Sequence, residues 1–243
     1  MTASQTMNQR LLMLIIVLCS VYCCDCFKRI KYPKDCHDIR LGGHIKSGVY
    51  KIYLNSSYSV KVLCDHQVNK SYTIVQQRMY GNENFQRTYN DYQIGFGSVS
   101  GDFWIGLITM QHLTSQGNTV MDLQLQDWNG NNRAGTYQHF SLGSAQDRYR
   151  LQVSGYAGTV PDDFSYSSGR QFATYDYPDT YNCAGNQKAG WWYNYCSYAL
   201  LNGIYYTGGP YVPTGGYYDG IYWKDWLGYG YSLRFTRMML SHP

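Results

Sequence analysis

Met121, Leu123 and Leu125 alternate with Asp122, Gln124 and Gln126, and the period of two returns where Tyr149, Leu151 and Val153 alternate with Arg150 and Gln152. A chain with this spacing can bury one side of an extended segment and leave the other to water. That is the pattern of antiparallel sheet, because parallel strands in βαβ units are apolar on both faces. Gly48–Leu54, with Tyr50, Ile52 and Leu54 on one side, and Tyr72–Arg78, rich in β-branched and aromatic residues, read as further strands. Helical signals are brief. Asn90 is expected to cap a short helix entering Tyr92, and Ile108–Leu113 reads as another. Beyond about residue 155 Gly, Tyr, Ser and Asn predominate without a sustained period, yet four tryptophans fall between residues 191 and 226. Indoles at that density point to a packed, loop-rich region instead of a linker.

The first residues set the compartment. Arg10 precedes the apolar run Leu11–Leu18, which is too short to cross a hydrocarbon core of ~30 Å but suits the h-region of a secretory signal. A retained signal anchor is the rival reading. The expected organisation is a signal peptide over residues 1–23, a short Cys-containing segment over 24–32, and one globular domain over 33–243. The mature protein is expected to be secreted, without a membrane span. Only 15% of residues are charged and the formal charge is +4 with no basic run, so nucleic acid is not an expected partner.

Secretion makes cysteines pair. Of the eight, Cys36, Cys64, Cys183 and Cys196 lie in the body of the domain. Proximity favours Cys36–Cys64 and Cys183–Cys196, each closing a short loop worth ~3 kcal/mol on the chain-entropy view. Spacing alone leaves the other pairings open. Cys24 and Cys26 precede the domain and are expected to link chains into a disulfide-bonded homo-oligomer. Asn55 and Asn69 head Asn-x-Ser triplets between expected strands and are candidate glycosylation sites.

Catalytic signatures are missing. There is no Gly-x-Ser-x-Gly, no His-Glu-x-x-His and no Gly-Lys-Ser/Thr phosphate loop. Asp127-Trp-Asn129-Gly-Asn131 superficially resembles the start of a calcium loop, but Asn132 stands where glycine is needed and Gln138 where the chelating glutamate belongs. The chain is not expected to be an enzyme.

An ordered set of short stretches then carries a resemblance. Pro33-Lys-Asp-Cys36, Gly48-Val-Tyr50, Val62-Leu-Cys-Asp65, Gly95-Phe-Gly97, Gly101-Asp-Phe-Trp-Ile-Gly106, Leu113-Thr-Ser-Gln-Gly117, Gly190-Trp-Trp192 with Cys196, Leu201-Asn-Gly-Ile-Tyr205 and Gly220-Ile-Tyr-Trp223 run in family order to the C-terminus. The sequence resembles fibrinogen C-terminal-like domains, as found in ficolins, tachylectins, angiopoietins, tenascins and fibrinogen. The resemblance implies an α+β fold: a twisted antiparallel sheet with short helices, followed by a loop-rich ligand-binding subdomain. It also supports the two local disulfides.

In lectin members the loop matching Cys183–Cys196 walls a pocket for N-acetyl groups, and the bond matching Tyr195–Cys196 is often cis. The resemblance places Tyr217, Tyr218 and Tyr229 in that pocket with Tyr195, Cys196 and Ser197, and makes Gly190, Trp191 and Trp192 scaffold. It implies calcium at Asp176 and Asp179 with main-chain carbonyls, although Pro178 stands at the usual second Asp and the segment is shortened. The expected function is a secreted lectin for N-acetylated glycans on cell or microbial surfaces, serving innate immunity. The alternative is a receptor-binding, matrix or structural module without sugar binding. Three departures stand out: Tyr72 for a usual Trp, Ser197 for a frequent His, and Tyr218 for a small residue.

Overall fold

The computed structural model describes residues 30–243 apart from Thr214. The expected signal peptide, Cys24 and Cys26 lie outside the described residues. The chain opens with α1 (Cys36–Leu41), then β1 (Gly48–Tyr53), β2 (Ser59–His66) and β3 (Ser71–Arg78) as an antiparallel meander. Cys36 is joined to Cys64, fastening α1 to β2. Asn55 and Asn69 are exposed in the two turns of this meander. Asn55 Oδ1 accepts the Ser57 and Tyr58 amides, so its side-chain carbonyl shapes the first turn.

Next come α2 (Tyr89–Ile94), the short pair β4 (Phe96–Gly97) and β5 (Phe103–Trp104), and α3 (Leu107–Ser115). Thr88, not Asn90, caps α2. Its hydroxyl accepts the Asp91 amide while the Asp91 carboxylate accepts the Thr88 amide, a reciprocal capping box that leaves Asn90 inside the first turn.

Three long strands follow: β6 (Val120–Gln126), β7 (Asn132–Leu142) and β8 (Leu151–Gly158). The alternation read for Met121–Gln126 is the burial pattern of β6. The β6–β7 turn is organised by Asp127, whose carboxylate accepts the amides of Asn129 and Asn131 and the Asn131 side chain. The segment that superficially resembles a calcium loop is thus a hairpin turn.

The final strand, β13 (Phe235–Ser241), returns to the middle of the sheet, which runs β1-β2-β3-β13-β6-β7-β8 with every pairing antiparallel. Between β8 and β13 the chain is mostly loop. Its elements are β9 (Phe172–Ala173), α4 (Cys183–Asn186), β10 (Trp191–Trp192), β11 (Ala199–Leu200), β12 (Tyr222–Trp223) and α5 (Lys224–Leu227), with β9 paired to β10 and β11 to β12.

This region is locked to the sheet in two ways. Tyr92, Trp104, Phe172 and Trp192 form one buried aromatic cluster, in which the Trp104 indole donates to Tyr92 O and the Trp192 indole to Tyr149 O. Buried polar side chains of β3 do the rest. Gln76 Nε2 donates to Leu201 O, Gln76 Oε1 accepts from Thr236, and Arg78 donates to Gly203 O while lying 3.8 Å from the Phe85 ring. Gly203 is required at this crossing, because a Cβ there would sit 2.1 Å from Gly220 O.

Candidate ligand-binding loops

The Cys183–Cys196 disulfide closes a loop that begins with α4, passes through β10 and ends in a tight reversal. Asp179 prepares it: one carboxylate oxygen accepts the Tyr181 amide in the turn before α4, and the other accepts the Ala184 amide in its first turn. Trp191 and Trp192 are fully buried, as a scaffold role requires. Gly190 is dictated by packing, since a Cβ would meet the Tyr92 ring at 2.4 Å, and its amide donates to the Tyr92 hydroxyl.

The expected cis bond at Tyr195–Cys196 is not found, there being no cis peptide among the described residues. The reversal is made instead by consecutive left-handed residues, Tyr195 at φ 45° and Cys196 at φ 60°, closed by the Asn194 amide donating to Cys196 O. Each such non-glycine conformation costs ~1–2 kcal/mol. The disulfide and the buried Trp191 and Trp192 just upstream hold the turn in place.

Downstream of the turn, Ser197 is buried and its hydroxyl lies 2.8 Å from the Tyr222 hydroxyl and 3.4 Å from Gln187 Oε1. Gln187 Nε2 donates to Tyr222 Oη and to Tyr218 O, each at 2.7 Å. Burial pushes the Tyr222 phenol well above its ordinary range, so it stays a neutral donor. Against this network the Tyr229 ring packs edge-on to Tyr222, at 5.1 Å, and stacks with Tyr218 at 5.7 Å. Tyr211 meets Tyr218 edge-on. The structure therefore brings Tyr218, Tyr229 and Ser197 into one cluster. Tyr217 stands beside it, half exposed. Tyr195 is set apart, 73% exposed and packed edge-to-face on Tyr181.

Several participants were not read from sequence. Asp219 is buried, pairs with Lys188 at 2.9 Å and accepts from the Tyr206 hydroxyl. The Tyr206 phenol is pushed up to about 12, by burial first and then by that bond. Asp219 directly precedes Gly220-Ile-Tyr-Trp223, and that adjacency was the available signal.

The expected calcium residues already accept hydrogen bonds from the protein. Asp176 Oδ1 accepts the Tyr89 amide and the Thr174 hydroxyl, and the Asp179 oxygens accept the Tyr181 and Ala184 amides. The carbonyls of Tyr177 and Pro178, in the same segment, accept from Arg148 Nη2 at 2.8 and 3.2 Å. The same guanidinium lies 3.7 Å from the Tyr177 ring. Calcium takes about six to eight oxygens. Here the Arg148 guanidinium lies against the same segment, and Asp176 Oδ2 accepts no hydrogen bond from the described residues.

Comparison with known proteins agrees with the topology. Residues 32–243 match the family "Fibrinogen beta and gamma chains, C-terminal globular domain". Human angiopoietin-related protein 6 is 37% identical over 211 residues, covering 85% of this chain and 44% of that protein. Tenascin of Gallus gallus is 36% identical over 215 residues, covering 86% of this chain and 11% of that protein. The chain thus spans less than half of either relative. Among solved structures, the fibrinogen-like globe domain of human ANGPTL2 superposes with a TM-score of 0.82 at 36% identity, covering 86% of this chain and 99% of that one. A lamprey fibrin D-dimer complexed with the peptide Gly-His-Arg-Pro-amide does so with a TM-score of 0.80 at 30% identity, covering 98% and 84%. With the central antiparallel sheet, both disulfides and the loop-rich C-terminal region in place, the chain belongs to the fibrinogen C-terminal globular domain family, a family of non-enzymatic modules.

Proposed function

We propose that this domain is an extracellular binding module that engages a protein partner through its tyrosine-lined loops, and is not a lectin for N-acetyl groups. The carrying observation is that the polar groups an acetyl group would need are consumed internally. Ser197 is buried against Tyr222 and Gln187, and the Tyr218 ring lies over Tyr229. An acetyl group entering here would have to break buried hydrogen bonds at ~1–3 kcal/mol each.

What remains available is a surface. Val212, Tyr217 and Tyr218 are exposed on the segment that follows the stacked Tyr206 and Tyr211. Tyrosine is well suited to protein interfaces because it gives large contact area with few rotors and a hydroxyl at its tip. The resemblance to angiopoietin-related proteins and the peptide held by the lamprey fibrin fragment support a polypeptide ligand for this fold.

Calcium is often bound in this family, and we propose that this member holds the corresponding segment with Arg148 instead. Glycosylation at Asn55 and Asn69 and interchain linkage through Cys24 and Cys26 are part of the same extracellular reading. No described helix is long and apolar enough to cross a membrane.

The test is retention on immobilised N-acetylglucosamine, together with binding to cells stripped of glycans or of surface protein. The expected result is no retention on the resin, and cell binding that survives glycosidases but is lost after trypsin. Retention on the resin with elution by free N-acetylglucosamine would overturn the reading.

A further inference from the structure

The chain contains two Asn-Gly pairs, Asn129-Gly130 and Asn202-Gly203. Asparagine is a thermolabile residue, and a following glycine lacks the Cβ that would shield its amide nitrogen. The pairs share this local chemistry and differ in what the fold adds to it. Asn202 is fully buried, its Nδ2 donating to Gly190 O at 3.0 Å and its Oδ1 accepting from Gln76 Nε2 at 3.3 Å. Both ends of that side-chain amide are held, so it cannot turn toward the Gly203 nitrogen.

Asn129 is exposed at the tip of the β6–β7 hairpin, just beyond the paired Gln126 and Asn132. Its main-chain amide donates to the Asp127 carboxylate at 2.9 Å, but its side chain makes no hydrogen bond among the described residues. Gly130 is left-handed at φ 84°, and a Cβ there would meet nothing within 4 Å. The Gly130 amide makes one long bond, 3.3 Å to Asp127 O. An unheld side-chain amide therefore stands next to an accessible, weakly held nitrogen.

We propose that Asn129 is a site of spontaneous deamidation, at which solvent water converts the hairpin tip to aspartate or isoaspartate as the folded protein ages. The Gly130 nitrogen attacks Asn129 Cγ. The new N–Cγ bond closes a cyclic imide, the Cγ–Nδ2 bond breaks, and ammonia leaves with the proton from Gly130. Water then opens the imide. Addition at Cγ breaks the new bond and gives aspartate, whereas addition at the main-chain carbonyl carbon breaks the original peptide bond and gives isoaspartate. A neutral amide becomes a carboxylate, and nothing is oxidised or reduced.

The new charge stands two residues from Asp127, which is buried and already accepts the Asn129 and Asn131 amides and the Asn131 side chain. Like charges so close weaken the turn, and isoaspartate also lengthens its backbone. The same turn is fastened to the loop-rich region by Trp128, whose amide donates to the Tyr231 hydroxyl and whose indole donates to Ser232 O. Deamidation thus loosens the hold of the hairpin on the segment through Tyr231. This chemistry is independent of what the tyrosine-lined loops bind.

The test is incubation of the full folded chain at neutral pH, followed by peptide mapping with fragmentation that separates aspartate from isoaspartate. Asn129 should convert at least about tenfold faster than Asn202, whose reaction waits on local opening of a buried segment. In denaturing urea the two sites should convert at similar rates, because only the fold separates them. Asn129→Gln, whose longer side chain disfavours ring closure, should remove the acidic product from this peptide. Asn129→Asp should raise hydrogen exchange at the Trp128 amide about tenfold. Equal rates in the folded protein, a faster Asn202, or an Asn129 that stays intact while urea converts both sites overturns the proposal. An acidic product that persists in Asn129→Gln does the same, and unchanged exchange at Trp128 overturns the link to Tyr231.

Discussion

Asp163 is fully buried, and one of its carboxylate oxygens has no hydrogen-bond partner, while the other accepts the Asp225 amide at 2.8 Å. Burial first, and then the neighbouring Asp225 carboxylate, push its pKa up from 3.8 to about 7. Asp225 moves the other way, led by its bond to Lys224, so the proton held further up the scale belongs to Asp163. The unfolded chain releases this proton near its ordinary value and the folded chain holds it further up the scale. Stability from this group is therefore complete below about pH 4 and is lost as pH rises through about 7.

At ~1.4 kcal/mol per pH unit, the rise to about 7 corresponds to ~4 kcal/mol. Lys224 and water reaching the exposed Asp225 reduce this to ~2–4 kcal/mol. Asp163→Asn keeps the shape and the acceptor but cannot ionise. Urea unfolding followed by tryptophan fluorescence between pH 4.5 and 8 should show the variant gaining on the wild type by that amount as pH rises. A stability difference that stays constant across the range would refute a buried, protonated Asp163.

Gly190→Ala places a Cβ against the buried Tyr92 ring, and thermal unfolding should show a loss of ~1–3 kcal/mol typical of overpacking. If Arg148 replaces calcium, chelator and added calcium should both leave the wild-type Tm unchanged, whereas Arg148→Ala should expose the Tyr177–Asp179 segment to limited proteolysis. A Tm raised by calcium would contradict this. Changing Cys183 and Cys196 together to Ser should cost ~3 kcal/mol in denaturant. Tyr218→Ala, at a half-exposed ring, should remove binding to protein-bearing cells while altering stability by less than ~1 kcal/mol.

How much of this was legible depends on how local each determinant is. The alternation in β6 is a property of adjacent residues and survived into the structure. β13 was invisible because Met238, Met239, Leu240 and Ser241 are all buried, as a central strand covered on both faces must be. The α2 cap was misplaced by two residues, since Asn90 is a good cap by type but only Thr88 has Asp91 at capping-box spacing. The place of Arg148 in the expected calcium segment was hidden for a longer-range reason: it lies 29 residues before the Tyr177 carbonyl to which it donates. No spacing rule connects the two.

The same distinction governs the acetyl pocket. Sequence flagged Ser197 and Tyr218 as departures, but could not say what either would touch. The structure gives Ser197 a buried hydroxyl partner in Tyr222 and ties Gln187 to both Tyr222 and the Tyr218 carbonyl. Withdrawing the Ser197 hydroxyl toward a ligand would leave the buried Gln187 Oε1 without its donor, and the ~1–3 kcal/mol cost of that offsets what one weak acetyl contact returns. A donor that must first be stolen from the core is part of the fold. On the proposed reading, recognition comes from groups whose hydrogen-bonding capacity is still open, and on these loops those include the exposed rings of Tyr217 and Tyr218.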